Sequence, residues 1–201
     1  MTRSGARTTI SDDDRLPTVP DERVRAAELE PVETRHRTRV TLPTATIREH
    51  TRLYADATLD ERTRAAGGPA DPLRFFFAAA LSFDPPLAPV VGTATMRPTV
   101  RREARRRFAE DLRERGVVDV ERARSERLRA ESGDRIRATG YRGTVAVGDE
   151  QVRAAGWIGV WTTGGAFRIA GGGYPDERIE GVDYDPAGAR DGLFDLLRAV
   201  R

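Results

Sequence analysis

Three residue types are absent from this sequence of 201 residues: lysine, asparagine and cysteine. All 34 residues counted as Lys or Arg are therefore arginine. Without lysine, the chain cannot carry the phosphate-binding loop of the P-loop enzymes or form a Schiff base. Without cysteine, it cannot use a thiol nucleophile, form a disulfide or bind zinc through thiolates.

Long apolar segments are also missing. No run approaches the ~20 apolar residues that a membrane-spanning helix needs. Arg3 and Arg7 lie near the start, but no apolar stretch follows them, so no signal peptide is predicted. Hydrophobic residues make up 38% and charged residues 33%, which is a polar but globular mixture. We therefore expect a soluble, cytoplasmic protein with no membrane insertion.

Positive charge is concentrated in the middle of the chain. The formal net charge is only +2, because 34 arginines face 32 acidic residues. Residues 97–142 nevertheless carry 15 arginines against 9 acids, whereas residues 171–201 carry 4 arginines against 7 acids. A nearly neutral total thus hides a basic middle and an acidic end.

One folded domain is predicted, since single domains commonly run to ~100–200 residues. Pro17 and Pro20 follow a charged polar run, which is typical of a disordered tail. We assign residues 1–30 to this tail, with a possible short helix over 21–29. Residues 31–201 are expected to form a single α+β domain.

The first half of this domain predicts strands over 33–42 and 46–54, joined at Pro43, and a short helix over 58–66 that Thr58 caps. Residues 73–83 are mostly apolar at both the odd-numbered and the even-numbered positions. This pattern favours a strand buried on both faces, although a short apolar run is also compatible with a helix.

The middle of the domain predicts the clearest helix. A proline-containing loop is expected over residues 84–97, and Thr99 is expected to cap the helix that follows. Apolar residues recur there at every fourth position and form one stripe; they are Val100, Ala104, Phe108 and Leu112. Gly116 supplies the C-terminal stop.

The second half predicts four strands in sequence, over residues 117–129, 135–147, 152–161 and 167–174. Short glycine-containing turns join them, so antiparallel pairing is expected. Asp185 and Pro186 then open a C-terminal helix, as cap and first-turn proline. The whole pattern predicts an antiparallel sheet of about seven strands flanked by helices on both sides, an α/β/α sandwich.

This order of elements resembles the fold shared by the PsbP photosystem subunit and the Mog1 Ran-binding protein. The resemblance rests on residues 108–116, 156–161 and 193–198. The chain is also similar to uncharacterised haloarchaeal proteins, through residues 74–77, 81–89 and 171–175. The PsbP/Mog1-like likeness implies partner binding rather than catalysis, and no catalytic residues carry over.

An arginine-rich helix face is the first candidate site. Arg101, Arg102, Arg105 and Arg106 lie off the apolar stripe, with Arg97 just before the helix. Guanidinium groups bind phosphates through bidentate hydrogen bonds, so these five residues predict a site for nucleic acid or another polyanion. The alternative is a solvated face, because four acids lie among the eight arginines of residues 97–115.

The two histidines are the second candidate. His36 and His50 flank the Pro43 turn, and a hairpin centred there would set them opposite each other. Two ligands are too few for a metal site, and Glu49 points to the other face, so no metal is predicted. No nucleophile elbow or dinucleotide fingerprint is present, and neither catalytic residues nor a cofactor are predicted.

Apolar residues on the 84–97 loop are the third candidate. Leu87, Val90, Val91 and Met96 would form either a partner surface or a lid over one end of the core. The sequence as a whole favours a non-enzymatic binding or protein-interaction module. Nucleic-acid or polyanion binding through the helix at 99–115 is the main alternative, and a small-ligand pocket or enzyme is a third.

Overall fold

Seven antiparallel strands form a single sheet in the computed structural model, which describes residues 13–42, 45–86 and 91–201. The strands are β1 (Glu30–Leu42), β2 (Ala45–Ala55), β3 (Phe75–Asp84), β4 (Val118–Arg129), β5 (Arg135–Val147), β6 (Glu150–Thr163) and β7 (Ala166–Pro175). The helices in the described residues are α1 (Asp21–Ala26), α2 (Ala57–Ala65), α3 (Val91–Glu114) and α4 (Pro186–Ala199), with a 3-10 turn at Asp13–Arg15. The predicted α+β fold with a seven-stranded antiparallel sheet is confirmed.

The spatial order of the strands is β1-β2-β3-β7-β6-β5-β4. The chain therefore leaves the middle of the sheet after β3, crosses one face as α3, and re-enters at the far edge as β4. From there β4 to β7 return to the middle as a meander, in which every neighbouring pair is antiparallel. This crossover places α3 over β6 and β7 and brings one flank of the helix beside the β4–β5 edge.

Both faces of the central strands are buried, as the apolar run at residues 73–83 predicts. On one face, Phe76 and Ala78 of β3 pack with Trp157 of β6 and with α1 and α4. On the other face, Phe75 and Ala79 of β3 join the core beneath α3. The helices thus cover the sheet on two sides, which is the expected sandwich.

α3 lies close to the sheet because its apolar stripe meets a glycine. Val100, Ala104, Phe108 and Leu112 are all buried, as the four-residue spacing predicts. A Cβ atom at Gly156 would lie only 3.0 Å from Cζ of Phe108, so a larger residue on β6 would push the helix outward.

The start of α3 differs from the prediction. The helix begins at Val91 rather than at Thr99, and Pro98 lies inside it. The loop was predicted from Pro85, Pro86 and Pro89, of which Pro85 and Pro86 precede the helix in the described residues. Pro98 removes one i→i−4 hydrogen bond from the helix. Burial of Thr93 and packing of Met96 against the core beneath α3 hold the extra turns in place.

Smaller differences concern helix ends. The N-cap of α2 is Asp56, whose Oδ1 accepts from the Leu59 N–H at 2.9 Å, and not Thr58. α1 ends at Ala26, and the chain turns directly into β1. α4 begins as predicted, with Asp185 as its N-cap and a proline in the first turn.

The segment before β1 also contributes to the core. Five of its apolar side chains are buried: Leu16, Val19, Val24, Ala27 and Leu29. Thr18 and Arg201 exchange backbone hydrogen bonds of 3.2 and 2.9 Å, which ties this segment to the end of α4. The division of the chain at residue 30 stays a prediction, and this packing favours a boundary nearer to residue 16.

Candidate polyanion-binding site

The arginines of α3 lie on two flanks that differ in their partners. On the outer surface and on the flank facing β1 to β3, Arg106 and Arg107 have carboxylates beside them, whereas Arg102 forms no ion pair among the described residues. Arg106 contacts Glu103 at 2.7 Å and Glu110 at 2.5 Å, and Arg107 contacts Glu103 at 2.6 Å. Hydrogen bonds from these two guanidinium groups lower the pKa of Glu103 to about 2. The positive charge of this flank is neutralised locally.

The flank facing β4 and β5 carries Arg97, Arg101 and Arg105. They are spaced four residues apart, so their Cα atoms follow one another at about 6 Å along the helix axis. Arg97 donates to Thr162 Oγ1 at 3.0 Å, which holds its side chain against β6. None of the three has an ion pair in the part of the chain that the structure describes.

Strands β4 and β5 add more arginines to this side of the sheet. Arg127 lies directly opposite Arg137, and Arg129 directly opposite Arg135. Residues opposite each other in an antiparallel pair share a face. Arg122 lies opposite Tyr141, which packs in the core beneath α3, so its side chain is on the α3 side as well.

Together these residues define what we call the arginine patch: Arg97, Arg101, Arg105, Arg122, Arg127, Arg129, Arg135 and Arg137. Like charges directly opposite each other destabilise a sheet. Yet no carboxylate among the described residues forms an ion pair with any of the eight. Guanidinium groups without carboxylate partners at this density attract an external anion.

The local electrostatics follow from this crowding. Partial burial against the sheet, together with the positive charges of Arg97, Arg105 and Arg137, lowers the pKa of Arg101. Burial and the neighbouring Arg122 and Arg137 likewise lower the pKa of Arg105. Both groups remain charged near neutrality, because arginine titrates far above that range. A bound anion would relieve this mutual repulsion.

The patch lacks an aromatic stacking surface among the described residues. Tyr141 is the aromatic side chain nearest to it, and it is buried, with its hydroxyl donating to the Arg105 carbonyl oxygen at 3.3 Å. Proteins that bind single strands stack bases on exposed aromatic rings. The surface is therefore suited to backbone phosphates rather than to unpaired bases.

The five arginines that the sequence predicts as a polyanion site lie in different environments. Arg97, Arg101 and Arg105 lie in the arginine patch, Arg102 is exposed on the outer surface of α3, and Arg106 is held by Glu103 and Glu110. The arginines of β4 and β5 were missed. The alternation of Arg135 and Arg137 in β5 was the available signal, because alternate residues of a strand share a face.

The predicted partner surface is only partly described. Leu87 and Val90 lie outside the described residues, and Val91 is the first residue of α3. Met96 is half-buried and packs against the core beneath α3. The choice between a partner surface and a lid stays a prediction.

The predicted opposition of the two histidines is confirmed. His36 is paired with His50 in the register of β1 and β2, and their Nδ1 atoms lie 3.0 Å apart. In the described ranges, no group of three or more His, Cys, Asp or Glu side chains could hold a metal ion. The pair is instead a hydrogen bond between two imidazoles.

A cavity of about 310 Å³ lies on the other flank of α3, above β1 to β3. Its apolar lining includes Leu53, Phe77 and Ile169. Its charged lining is nearly balanced, with five arginines and four carboxylates. Arg39 and Glu49 form one of its ion pairs, through two hydrogen bonds of 2.8 and 2.7 Å. It offers less uncompensated charge than the arginine patch.

Comparison with protein families assigns the chain to one family. Residues 16–201 match the family described as a domain of unknown function, DUF6517, so the chain belongs to that family. A search of curated proteins gives no match. No helix within residues 13–42, 45–86 and 91–201 is long and apolar enough to cross a membrane.

Proposed function

We propose that this member of the DUF6517 family binds the phosphate backbone of double-stranded nucleic acid through the arginine patch, without reading base sequence. The observation that carries the proposal is the absence of carboxylate partners for all eight patch arginines among the described residues. Elsewhere on the same helix, Arg106 and Arg107 have partners within 2.7 Å. The patch is thus a surface whose charge requires an external counterion.

The physical basis of binding is counterion release. On a duplex, each phosphate that an arginine neutralises makes the slope of log K against log salt more negative by about 0.9. If all eight patch arginines engaged phosphates, the slope would be about −7. Arginine suits this role because its planar fork bonds two phosphate oxygens at once.

A duplex fits better than a single strand, because the patch has no exposed ring on which to stack bases. An acidic protein surface is the alternative ligand and corresponds to the protein-interaction module that the sequence favours. The resemblance to the PsbP and Mog1 fold supports partner binding, whereas the similarity to haloarchaeal proteins implies no particular activity. That resemblance and a cytoplasmic location stay predictions.

The test is a fluorescence anisotropy titration of a labelled duplex of about 20 base pairs, repeated from about 50 to about 200 mM salt. We expect binding at the lowest salt and an affinity loss of about 10³-fold across the range for six contacts. A single-stranded oligomer of equal length should bind more weakly. No binding at the lowest salt would refute the proposal.

A further inference from the structure

A line of four polar side chains crosses β1, β2 and β3 on the α4 side of the sheet, away from the arginine patch. Asp13 Oδ1 lies 3.4 Å from His36 Nε2, and His36 Nδ1 lies 3.0 Å from His50 Nδ1. His50 Nε2 in turn lies 2.9 Å from Ser82 Oγ. The four groups form a continuous chain from a carboxylate to a hydroxyl.

With His36 neutral, one set of proton positions is compatible with these three contacts. A carboxylate can only accept, so the Asp13 carboxylate at 3.4 Å favours the His36 tautomer that carries its proton on Nε2. His36 Nδ1 then accepts from the Nδ1–H of His50. His50 Nε2 is left with a lone pair that faces the hydroxyl of Ser82, which is what a general base requires.

The sheet holds this arrangement rigidly. His50 is completely buried, on a strand flanked by β1 and β3. Its partners His36 and Ser82 project from those two neighbouring strands. Ser82 itself is half-buried and keeps access to solvent. A reactive group on fixed strands is positioned more accurately than one on a loop.

Two arginines are neighbours of Ser82 in the strand register, on the same face of the sheet. Arg48 lies directly opposite Ser82 in the register of β2 and β3. Arg168 lies opposite Ala80, one step along the same face, where a long side chain reaches a diagonal neighbour. Neither has an ion pair within the described residues. Such charges stabilise the oxyanion that develops when a hydroxyl attacks a carbonyl carbon.

We propose that Ser82 is an activated nucleophile that reacts with carboxylic esters, with His50 as its general base. The Ser82 oxygen forms a bond to the carbonyl carbon while its proton passes to His50 Nε2. The bond from that carbon to the leaving oxygen then breaks, and the alcohol departs with the proton. Water attacks the resulting acyl-serine by the same route, releases the acid and restores Ser82.

His36 and Asp13 act as positioning residues in this scheme. They fix the His50 tautomer and the direction of its lone pair without contacting the ester. The proposal does not depend on the arginine patch, which lies on the opposite face of the sheet, so either can fail without the other.

The test uses the full-length protein and p-nitrophenyl acetate. We expect release of p-nitrophenolate together with an acetyl group on Ser82, located by peptide mass spectrometry. Acetylation of lysine and cysteine side chains cannot interfere, because the chain contains neither residue. Ser82→Ala should abolish the release, whereas Ser125→Ala, the matched serine of β4, should leave it unchanged.

Variants of the histidines test the base. His50→Gln should slow acylation by about 10²-fold, in the range of general-base catalysis. His36→Ala should slow it as well, and His36→Gln should restore part of the rate because its amide oxygen can accept from His50. Acetyl groups found only on residues other than Ser82, or release unchanged in Ser82→Ala, would overturn the proposal even if a histidine variant failed to fold.

Discussion

The two flanks of α3 belong to one helix, which packs on the sheet through a single apolar stripe, but they differ in how their charge is balanced. Toward β1 to β3, Glu103 lies within 2.7 Å of both Arg106 and Arg107. Toward β4 and β5, Arg101 and Arg105 face further arginines instead. The contrast shows that arginine content alone does not define a binding surface. What matters is whether a carboxylate lies three or four residues away on the helix, or on a strand that faces it.

The two faces of β5 show the same difference between paired and unpaired charge. On the α4 side of β5, Arg142 lies opposite Glu121 and contacts it at 3.1 Å. On the α3 side, Arg137 lies opposite Arg127. Opposite-charge pairs stabilise a sheet and like-charge pairs destabilise it. The patch therefore lowers stability in a place where an ordinary surface would have paired charges.

The largest expected effect comes from removing the buried ring of Phe108, which holds α3 and both of its flanks against the sheet. Phe108→Ala should destabilise the protein by about 3–5 kcal/mol, because it deletes a buried ring and leaves a cavity between α3 and Gly156. Urea denaturation measures the loss. Arg102→Ala, an exposed change on the same helix, should stay within about 0.5 kcal/mol. A loss below about 1 kcal/mol for Phe108→Ala would mean that the ring does not anchor the helix.

Reversing the charge of one arginine tests the difference in charge pairing between the two faces of β5. Arg137→Glu should stabilise the fold by about 0.2–1 kcal/mol, because it replaces the like-charge pair with Arg127 by an opposite-charge pair. The same change should weaken duplex binding. Chemical denaturation and anisotropy read the two effects separately.

Arg142→Glu is the matched control for this reversal, since it changes charge equally on the same strand. It would set two carboxylates opposite each other, so it should destabilise the fold by a similar amount and weaken binding much less. Equal loss of binding in the two variants would indicate a response to net charge rather than to the patch.

The smallest effect concerns the neutralised flank and depends on pH. The folded-state pKa of Glu103 is about 2, below its ordinary 4.5. Its ion pairs therefore stabilise the fold above the unfolded-state pKa, and this contribution disappears as pH falls toward 2. Since the pairs are solvent-exposed, Glu103→Gln should cost at most ~1 kcal/mol near neutral pH.

Urea denaturation of the wild-type protein and Glu103→Gln across this pH range checks the sign. The gap in unfolding free energy between the two should narrow as the pH falls. A gap that is constant, or that widens toward acid pH, would contradict the assignment of these ion pairs.

Much of the fold could be predicted from the sequence because its local signals agree with its packing. The apolar run of β3, the glycine turns of the meander and the Asp185 cap all act over a few residues. The start of α3 could not, because tertiary burial of Thr93 outweighs the local effect of Pro98. The opposition of His36 and His50 followed from the hairpin alone.

The candidate site was less predictable because it is assembled across the sheet. Arg101 and Arg105 could be placed on a helix face from their spacing. Whether carboxylates from other elements would face them depended on the crossover that carries α3 past β6 and β7. Ser82 is 32 residues from His50 in sequence. Only the pairing of β2 with β3 brings the two together.

The most direct test of the account compares two triple variants of equal charge change. One removes patch arginines (Arg101→Gln, Arg105→Gln and Arg137→Gln), and the other removes ion-paired arginines (Arg106→Gln, Arg107→Gln and Arg142→Gln). The measurement is the slope of log K for duplex binding against log salt. We predict that the first variant loses about 2.7 from the magnitude of the slope, at 0.9 per phosphate contact, while the second stays close to wild type. Equal slopes for the two variants would contradict the claim that the uncompensated flank is the binding surface.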